Sequence, residues 1–281
     1  MKVLVTGSEG YIGKPLCAAL RVAGHDVEGL DLKTGWDATK DDFPLDGVDT
    51  VIPLAAVVGA PACAKDPARA REVIVGSAQR LAERLDGRGC FYLTTDSGYP
   101  PGSDIATDTP LYPQSTYAKL KHEAAEILRG EGAAVLRLAS LFGESPSMRD
   151  DLLAHWMIRE TLQRRALPVL TGAKTRRAFV HIDDVVEGVV TATGNWRRGA
   201  FLGAGVAYSL ASHDRLTKRD LAVHVALACD VSPSFVEEDF SDSDGRDFWL
   251  TGSFGYCGRR LDAEIPKLVA YYLDRDSRVM K

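Results

Sequence analysis

Tyr117 and Lys121 stand four residues apart in the run Tyr117-Ala118-Lys119-Leu120-Lys121, so on a helix they share one face. A tyrosine with an ordinary pKa near 10 is a poor base at neutral pH. An ammonium held beside it stabilises the phenolate and makes Tyr117 a usable general acid/base. Thr95, in the hydroxyl-rich run Thr94-Thr95-Asp96-Ser97, can polarise the same substrate oxygen from a neighbouring strand end. A Tyr and Lys at this spacing are common on exposed helices. What gives the pair chemical meaning is the stretch Thr6 to Gly13, reading TGSEGYIG, between apolar Val3-Leu4-Val5 and a run with Leu16, Ala19, Leu20 and Ala23 in helical phase. Strand, glycine-rich turn and helix in that order suit a dinucleotide. Gly7 permits the tight turn, Gly10 the approach of backbone to a pyrophosphate, and Gly13 close packing of helix on strand. The helix N-terminus turns its positive dipole end to the phosphates.

The elements that must position these residues follow from the apolar pattern. A second strand, Val27 to Leu30, ends at Asp31. A carboxylate there can accept the adenosine ribose hydroxyls and repels a 2′-phosphate, which favours NAD over NADP. Lys33 pulls the other way, and a plain turn-capping acid is the alternative for Asp31. Asp37-Ala38-Thr39 either sets a carboxylate against the adenine amine or forms a solvated turn. The run 48–58 (VDTVIPLAAVV) reads as a third strand buried on both faces, passing into Leu54, Ala55 and Ala56, where backbone can meet the cofactor. A helix over 66–85 has Pro67 in its first turn. Strands are expected at 90–93 and 134–138, a helix at 115–129, and an irregular loop at 98–113, which holds four prolines and two glycines. Alternating strands and helices predict an α/β fold: a Rossmann-like, doubly wound parallel sheet. Past Gly143 the alternation weakens, with helices at 151–165, 185–193 and 217–228, short strands at 167–170 and 179–182, and no clear period over 237–258. This predicts an NAD(P)-binding domain over 1–143, rejoined by 178–205, and a smaller C-terminal α/β substrate lobe from 144–177 and 206–281.

Bulk composition narrows the partners. The chain has 281 residues, 45% hydrophobic and 26% charged, with a formal net charge of −5. That balance argues against nucleic acid or an anionic membrane as the main partner and points to a small molecule. The five cysteines (Cys17, Cys63, Cys90, Cys229, Cys257) are dispersed and form no CxxC pair. They read as free thiols in a reducing compartment, with no metal site. No secretory leader or membrane-spanning run is legible, so a cytoplasmic location is expected.

Taken together, GxxGxxG as TGSEGYIG, Leu54-Ala55-Ala56, the Thr/Ser-rich strand end and Tyr117-x-x-x-Lys121 resemble the extended short-chain dehydrogenase/reductase family, of the NAD-dependent epimerase/dehydratase, nucleotide-sugar type. The segment RRAFVHIDD, Arg176 to Asp184, extends the resemblance, which covers Met1 to about Gly205. The resemblance implies Tyr117 as acid/base, Lys121 holding the nicotinamide ribose, and Thr95 with Asp96 at the reacting substrate carbon. It implies Gly7, Gly10, Tyr11, Ile12 and Gly13 at the pyrophosphate, Asp31 at the ribose, and Asp37, Ala38, Leu54, Ala55 and Ala56 along the cofactor. Ser140 and Arg177 would meet the substrate, Arg177 at its diphosphate. Several positions depart from the family pattern. Pro53 replaces a usual His, and Ile74 an Asn. Ser140 replaces an Asn, and Asp150-Asp151-Leu152 stands where an Asn-Leu pair is frequent. Ser97 replaces the Glu of the 4,6-dehydratases, which argues against water elimination. The implied activity is an NAD(P)-dependent epimerase or oxidoreductase acting on a sugar or nucleotide-sugar, with 4-epimerisation slightly ahead of keto-sugar reduction or alcohol oxidation. A non-catalytic NAD(P)-binding subunit is the reading from another class. By analogy with the family, a homodimer would form through helices around 69–85 and 115–129.

Overall fold

The computed structural model describes residues 1–100, 102–167, 176–196, 205–212, 214, 216–233, 248–250 and 258–275. The chain opens with β1 (Lys2–Thr6), α1 (Gly13–Val22), β2 (Asp26–Leu30) and β3 (Thr50–Pro53). Three helices follow, α2 (Ala60–Lys65), α3 (Pro67–Arg71) and α4 (Ser77–Ala82), then β4 (Gly89–Thr95), β5 (Gly102–Ile105), α5 (Thr116–Gly130) and β6 (Ala134–Leu138). Next come β7 (Ser140–Phe142), α6 (Leu153–Arg164), β8 (Phe179–His181), α7 (Ile182–Trp196), β9 (Ala207–Leu210), α8 (Lys218–Ala228), β10 (Phe248–Leu250) and α9 (Leu261–Arg275).

Six strands form one sheet in the order β2-β1-β3-β4-β6-β9, and the ladders from β2 through β6 are parallel. The strand order reverses beside β1, so the carboxyl ends of β1 and β3 open on the crevice where such sheets take ligands. Val3, Leu4, Val5, Val51, Ile52 and Phe91 are wholly buried, as expected of strands covered by helices on both faces. Leu81, Ala124 and Leu128 pack into the same core from α4 and α5.

Two compact units emerge. The first comprises Met1–Tyr99, Asp108–Leu138 and Val185–Ser209; the second comprises Pro100–Thr107, Ala139–Asp184 and Leu210–Lys281. The chain therefore leaves the first unit at Leu138, five residues before the boundary expected at Gly143, and β8 belongs to the second unit. The reason is visible at the junction. Ala139 N–H donates to Leu210 O and Ser140 N–H to Ala178 O, so β7 pairs in parallel with β8. The second unit has its own core, with Phe142, Met157, Phe179, Val225, Ile265 and Tyr272 buried together.

Some elements differ from expectation. The proline-rich segment 98–113 contains β5, which pairs in parallel with β10 from the stretch where no period was legible. The helix expected over 66–85 is present from Pro67 to Ala82, but a π-helical turn, Glu72–Gly76, interrupts it between α3 and α4. The third strand ends at Pro53, short of Val58. The strand expected at 167–170 falls outside the described residues except for Leu167. Cys17, Cys63, Cys90 and Cys229 are buried and free, while Cys257 lies outside the described residues.

Candidate active site

The glycine-rich loop is shaped by close backbone contacts. Gly7 has φ +66, and a Cβ there would stand 2.8 Å from Ala55 N and from the Leu54 carbonyl carbon. The turn from β1 thus passes tightly over the end of β3, and Ala55 N–H donates to Thr6 Oγ1 at 3.2 Å. A Cβ on Gly13 would press onto the Gly7 carbonyl oxygen, and one on Gly10 would come to 3.0 Å from it. Gly10 thus suits the loop's own closure, since a side chain there would press lightly on the Gly7 carbonyl. The first turn of α1 has no side-chain cap and no acidic residue, so the helix does not itself neutralise the positive end of its dipole. Tyr11 and Ile12 lead into that turn. A dinucleotide's pyrophosphate suits a cradle of this kind, whose backbone a Cβ at Gly7 or Gly13 would push apart.

Asp31 sits at the end of β2, beside the loop. Oδ1 accepts the Lys33 N–H at 2.9 Å and Oδ2 accepts the Glu9 N–H at 3.1 Å. One carboxylate thus caps the short 3₁₀ turn Leu32–Thr34 and ties the loop to β2. These bonds make Asp31 the turn cap that was the alternative reading of its carboxylate. Asp37 is more heavily engaged. Thr39 donates to Oδ1 from its N–H (2.9 Å) and its hydroxyl (2.7 Å), and Arg69 Nη2 lies 3.3 Å from both oxygens. These bonds, the Thr39 amide foremost, hold its pKa at about 2. Buried Ala38 is gripped by Arg80, which donates to its carbonyl. Leu54, Ala55 and Ala56 follow β3, half-buried.

The chemical pair lies in the same unit. Ser115 caps α5 by accepting the Ala118 N–H at 3.1 Å, which sets Tyr117 in the first turn and Lys121 one turn later. Tyr117 is half-buried, whereas Lys121 is only 6% exposed. Lys121 Nζ donates to Leu93 O at 2.7 Å and lies 4.1 Å from the centroid of the Tyr92 ring. Burial pushes its pKa down to about 7. Thr95 ends β4, and its Oγ1 accepts the Ser97 N–H at 3.1 Å and lies 2.9 Å from Ser97 Oγ. Asp96 opens the 3₁₀ turn that packs against α5. An ammonium with no carboxylate partner among the described residues, one helical turn from a phenol and beside a hydroxyl-bearing strand end, can lower that phenol's proton affinity and hold a substrate oxygen.

The remaining candidates belong to the second unit. Ser140 is half-buried at the start of β7, and Arg177 is half-buried just before β8, its N–H donating to Leu216 O at 3.1 Å. The β7–β8 pairing brings them within two residues of each other across the ladder. Asp151 is held bidentately by Arg149, at 3.0 and 2.6 Å, and Asp150 pairs with Arg159. Back in the first unit, Ile74 is buried inside the π-helical turn. Residues absent from the sequence-based list are Tyr92, which faces Lys121, and Arg69, which holds Asp37. A polar-tipped aromatic within a strand buried on both sides was the available signal for Tyr92.

Comparison with known proteins agrees with this geometry. The profile described as the NAD dependent epimerase/dehydratase family matches residues 3–201. The UDP-glucose 4-epimerase of Mycolicibacterium smegmatis is 26% identical over 265 residues, covering 81% of this chain and 82% of that protein. Among solved structures, the UDP-glucuronic acid 4-epimerase of Bacillus cereus in complex with NAD superposes with a TM-score of 0.82 at 22% identity, covering 98% of this chain and 99% of that one. The dTDP-glucose 4,6-dehydratase of Streptomyces venezuelae, with NAD and TYD bound, gives 0.80 at 21% identity, covering 99% and 98%. The chain belongs to the NAD-dependent epimerase/dehydratase family, a family of enzymes whose cofactor is NAD. Among the described residues no helix is long and apolar enough to cross a membrane.

Proposed function

We propose that this member of the epimerase/dehydratase family is a nucleotide-sugar 4-epimerase, with Tyr117 as its acid/base. The observation that carries the reading is the seat of Lys121: a buried ammonium on the Leu93 carbonyl, one turn from Tyr117, in the unit that holds the glycine cradle. NAD, when bound, supplies reversible acceptance of hydride from the substrate carbon. Gly7, Gly10, Tyr11, Ile12 and Gly13 would hold its pyrophosphate, Asp31 its adenosine ribose, Asp37 and Ala38 its adenine, and Lys121 its second ribose. Tyr117 takes the proton from the substrate hydroxyl and later returns it, while Thr95 donates to the same oxygen. Arg177 and Ser140 are assigned to the nucleotide-sugar side. Ser97 gives only a hydroxyl where elimination of water requires a carboxylate, which supports epimerisation over dehydration.

Incubating the purified protein with NAD and either UDP-glucose or UDP-glucuronate tests the reading. An epimerase yields the C4 epimer without accumulating NADH. NADH formed stoichiometrically would replace the reading with net oxidation. Reduction of a 4-keto-sugar is the second reading, supported by the Thr95-Asp96 pair, and consumption of NADH with such a substrate would favour it. Sedimentation of the full chain tests the dimer expected through the helices around 69–85 and 115–129.

A further inference from the structure

Lys121 is buried where an ammonium should be costly, yet among the described residues it makes no ion pair. Among the described residues its ammonium meets a backbone carbonyl and a ring: Leu93 O at 2.7 Å and the face of Tyr92 at 4.1 Å. We propose that Tyr92 is a positioning residue for the acid/base pair, its ring face serving as the counter-group that holds the Lys121 ammonium beneath Tyr117. The inference rests on the reading of Lys121 as Tyr117's partner. The placement has a simple origin. Side chains alternate along β4, so Tyr92 and Thr94 point to one face, and α5 packs on that face with Thr94 Oγ1 donating to Lys121 O at 3.4 Å. The ring itself is only 4% exposed, so its quadrupole acts on the ammonium without competing water.

The other titratable groups near Lys121 do not replace the ring. Cys63, from α2, is wholly buried, and burial raises its pKa, so it carries a neutral thiol. Burial raises the pKa of Tyr92, and Tyr117, on the same helix as Lys121, and Cys90 add to that rise. Tyr92 thus stays neutral and offers an electron-rich face. Other charged side chains on elements packed against α5 are engaged elsewhere: Arg69 with Asp37, Arg71 with Glu123, Glu72 with Arg69, Arg80 on the Ala38 carbonyl and Arg137 on the Tyr99 hydroxyl, while Lys65 is exposed and Asp96 lies beside the Thr95 hydroxyl. A carboxylate in place of the ring would bind Lys121 in a fixed ion pair. The ring leaves its donors open to a ribose hydroxyl.

The test is a titration of Lys121 itself in the full-length protein, followed by lysine ¹³Cε chemical shift and assigned by loss of the signal in Lys121→Met. Tyr92→Phe keeps the ring face and should leave the midpoint where it is in the wild type. Tyr92→Leu keeps apolar volume but removes the face, and its midpoint should fall by about one pH unit. Pentafluorophenylalanine at position 92 keeps the ring's shape while withdrawing its electron density, and it should lower the midpoint similarly even if the Leu variant fails to fold. A midpoint that is unchanged or raised when the face is lost or fluorinated overturns the proposal. So does an equal fall in Tyr92→Phe, which would make the hydroxyl the active group. The readout needs neither substrate nor turnover. A shifted midpoint with no epimerase activity would sink the functional reading and leave this inference standing, and the reverse outcome would do the opposite.

Discussion

Lys121 sets the candidate active site against the stability of the fold, and Lys121→Met measures the conflict. A lysine pKa of 10.5 in the unfolded chain falls to about 7 in the folded protein. The unfolded state therefore binds more protons between these values, and the folded state gains stability as pH rises from 7 to 10.5. Below pH 7 the full penalty applies: about 3.5 units at ~1.4 kcal/mol each, or roughly 5 kcal/mol. Methionine fills similar volume without a charge, but it loses the bond to Leu93 O, a loss of about 1 kcal/mol. Lys121→Met should therefore be more stable than wild type by about 2–4 kcal/mol at pH 7, with the gain vanishing near pH 10.5. Urea unfolding of both proteins at pH 7 and pH 10.5 gives the difference, in which all other titrating groups cancel. The same variant should lose turnover. A variant less stable than wild type at pH 7, or a gain independent of pH, would refute the buried ammonium.

Other perturbations separate the parts of the site. Tyr117→Phe should retain NAD affinity, measured by calorimetry, and lose about 10²–10⁴-fold in kcat. Gly13→Ala drives a methyl onto the Gly7 carbonyl oxygen and should weaken NAD binding at least about tenfold, because the loop must shift. Gly24→Ala, at φ +83 with open space around it, should cost about 1–2 kcal/mol in unfolding free energy and leave NAD binding intact. His155 is wholly buried, with Nε2 on Gly143 O at 2.8 Å and Nδ1 accepting from Arg149 N–H and the Tyr272 hydroxyl. Burial lowers its pKa from 6.5 to about 4, so the stability it contributes is lost as pH falls from about 6.5 towards 4. The loss is about 3 kcal/mol by acid unfolding, and it should disappear from the pH dependence of His155→Gln.

What the sequence made legible was local. The glycine loop and the apolar strands are encoded by residues that touch their sequence neighbours, and period alone places α5 and α8. The β5–β10 pair is different: Gly102 meets Phe248, and neither segment has an alternating pattern that would announce a partner so distant. α9 could have been read, since Leu261, Ile265, Leu268, Val269 and Tyr272 keep helical phase and are buried. Pro266 inside it masks the pattern. The π-helical turn at Glu72–Gly76, which packs on α5, leaves no mark in the local period of the sequence. At the candidate site, spacing placed Tyr117 over Lys121, but it gave no sign of Tyr92, since a facing strand is set by tertiary structure.

The same physics explains why the cofactor was easier to read than the substrate. Groups on the cofactor side are fixed by backbone: Asp31 by the Glu9 and Lys33 amides, Thr6 by the Ala55 amide, and the glycines by carbonyls that a side chain would strike. Such constraints admit few residue types, and they therefore appear in the sequence as a motif. The polar groups near Ser140 and Arg177 in chain order are held instead by side-chain pairs, Arg149 with Asp151 and Arg159 with Asp150, all partly exposed. Exposed pairs of this kind contribute about 0–1 kcal/mol each, so they can be exchanged with little effect on folding. A surface that can change at so little cost is free to follow the substrate, and for that reason its residues carry no motif that names one.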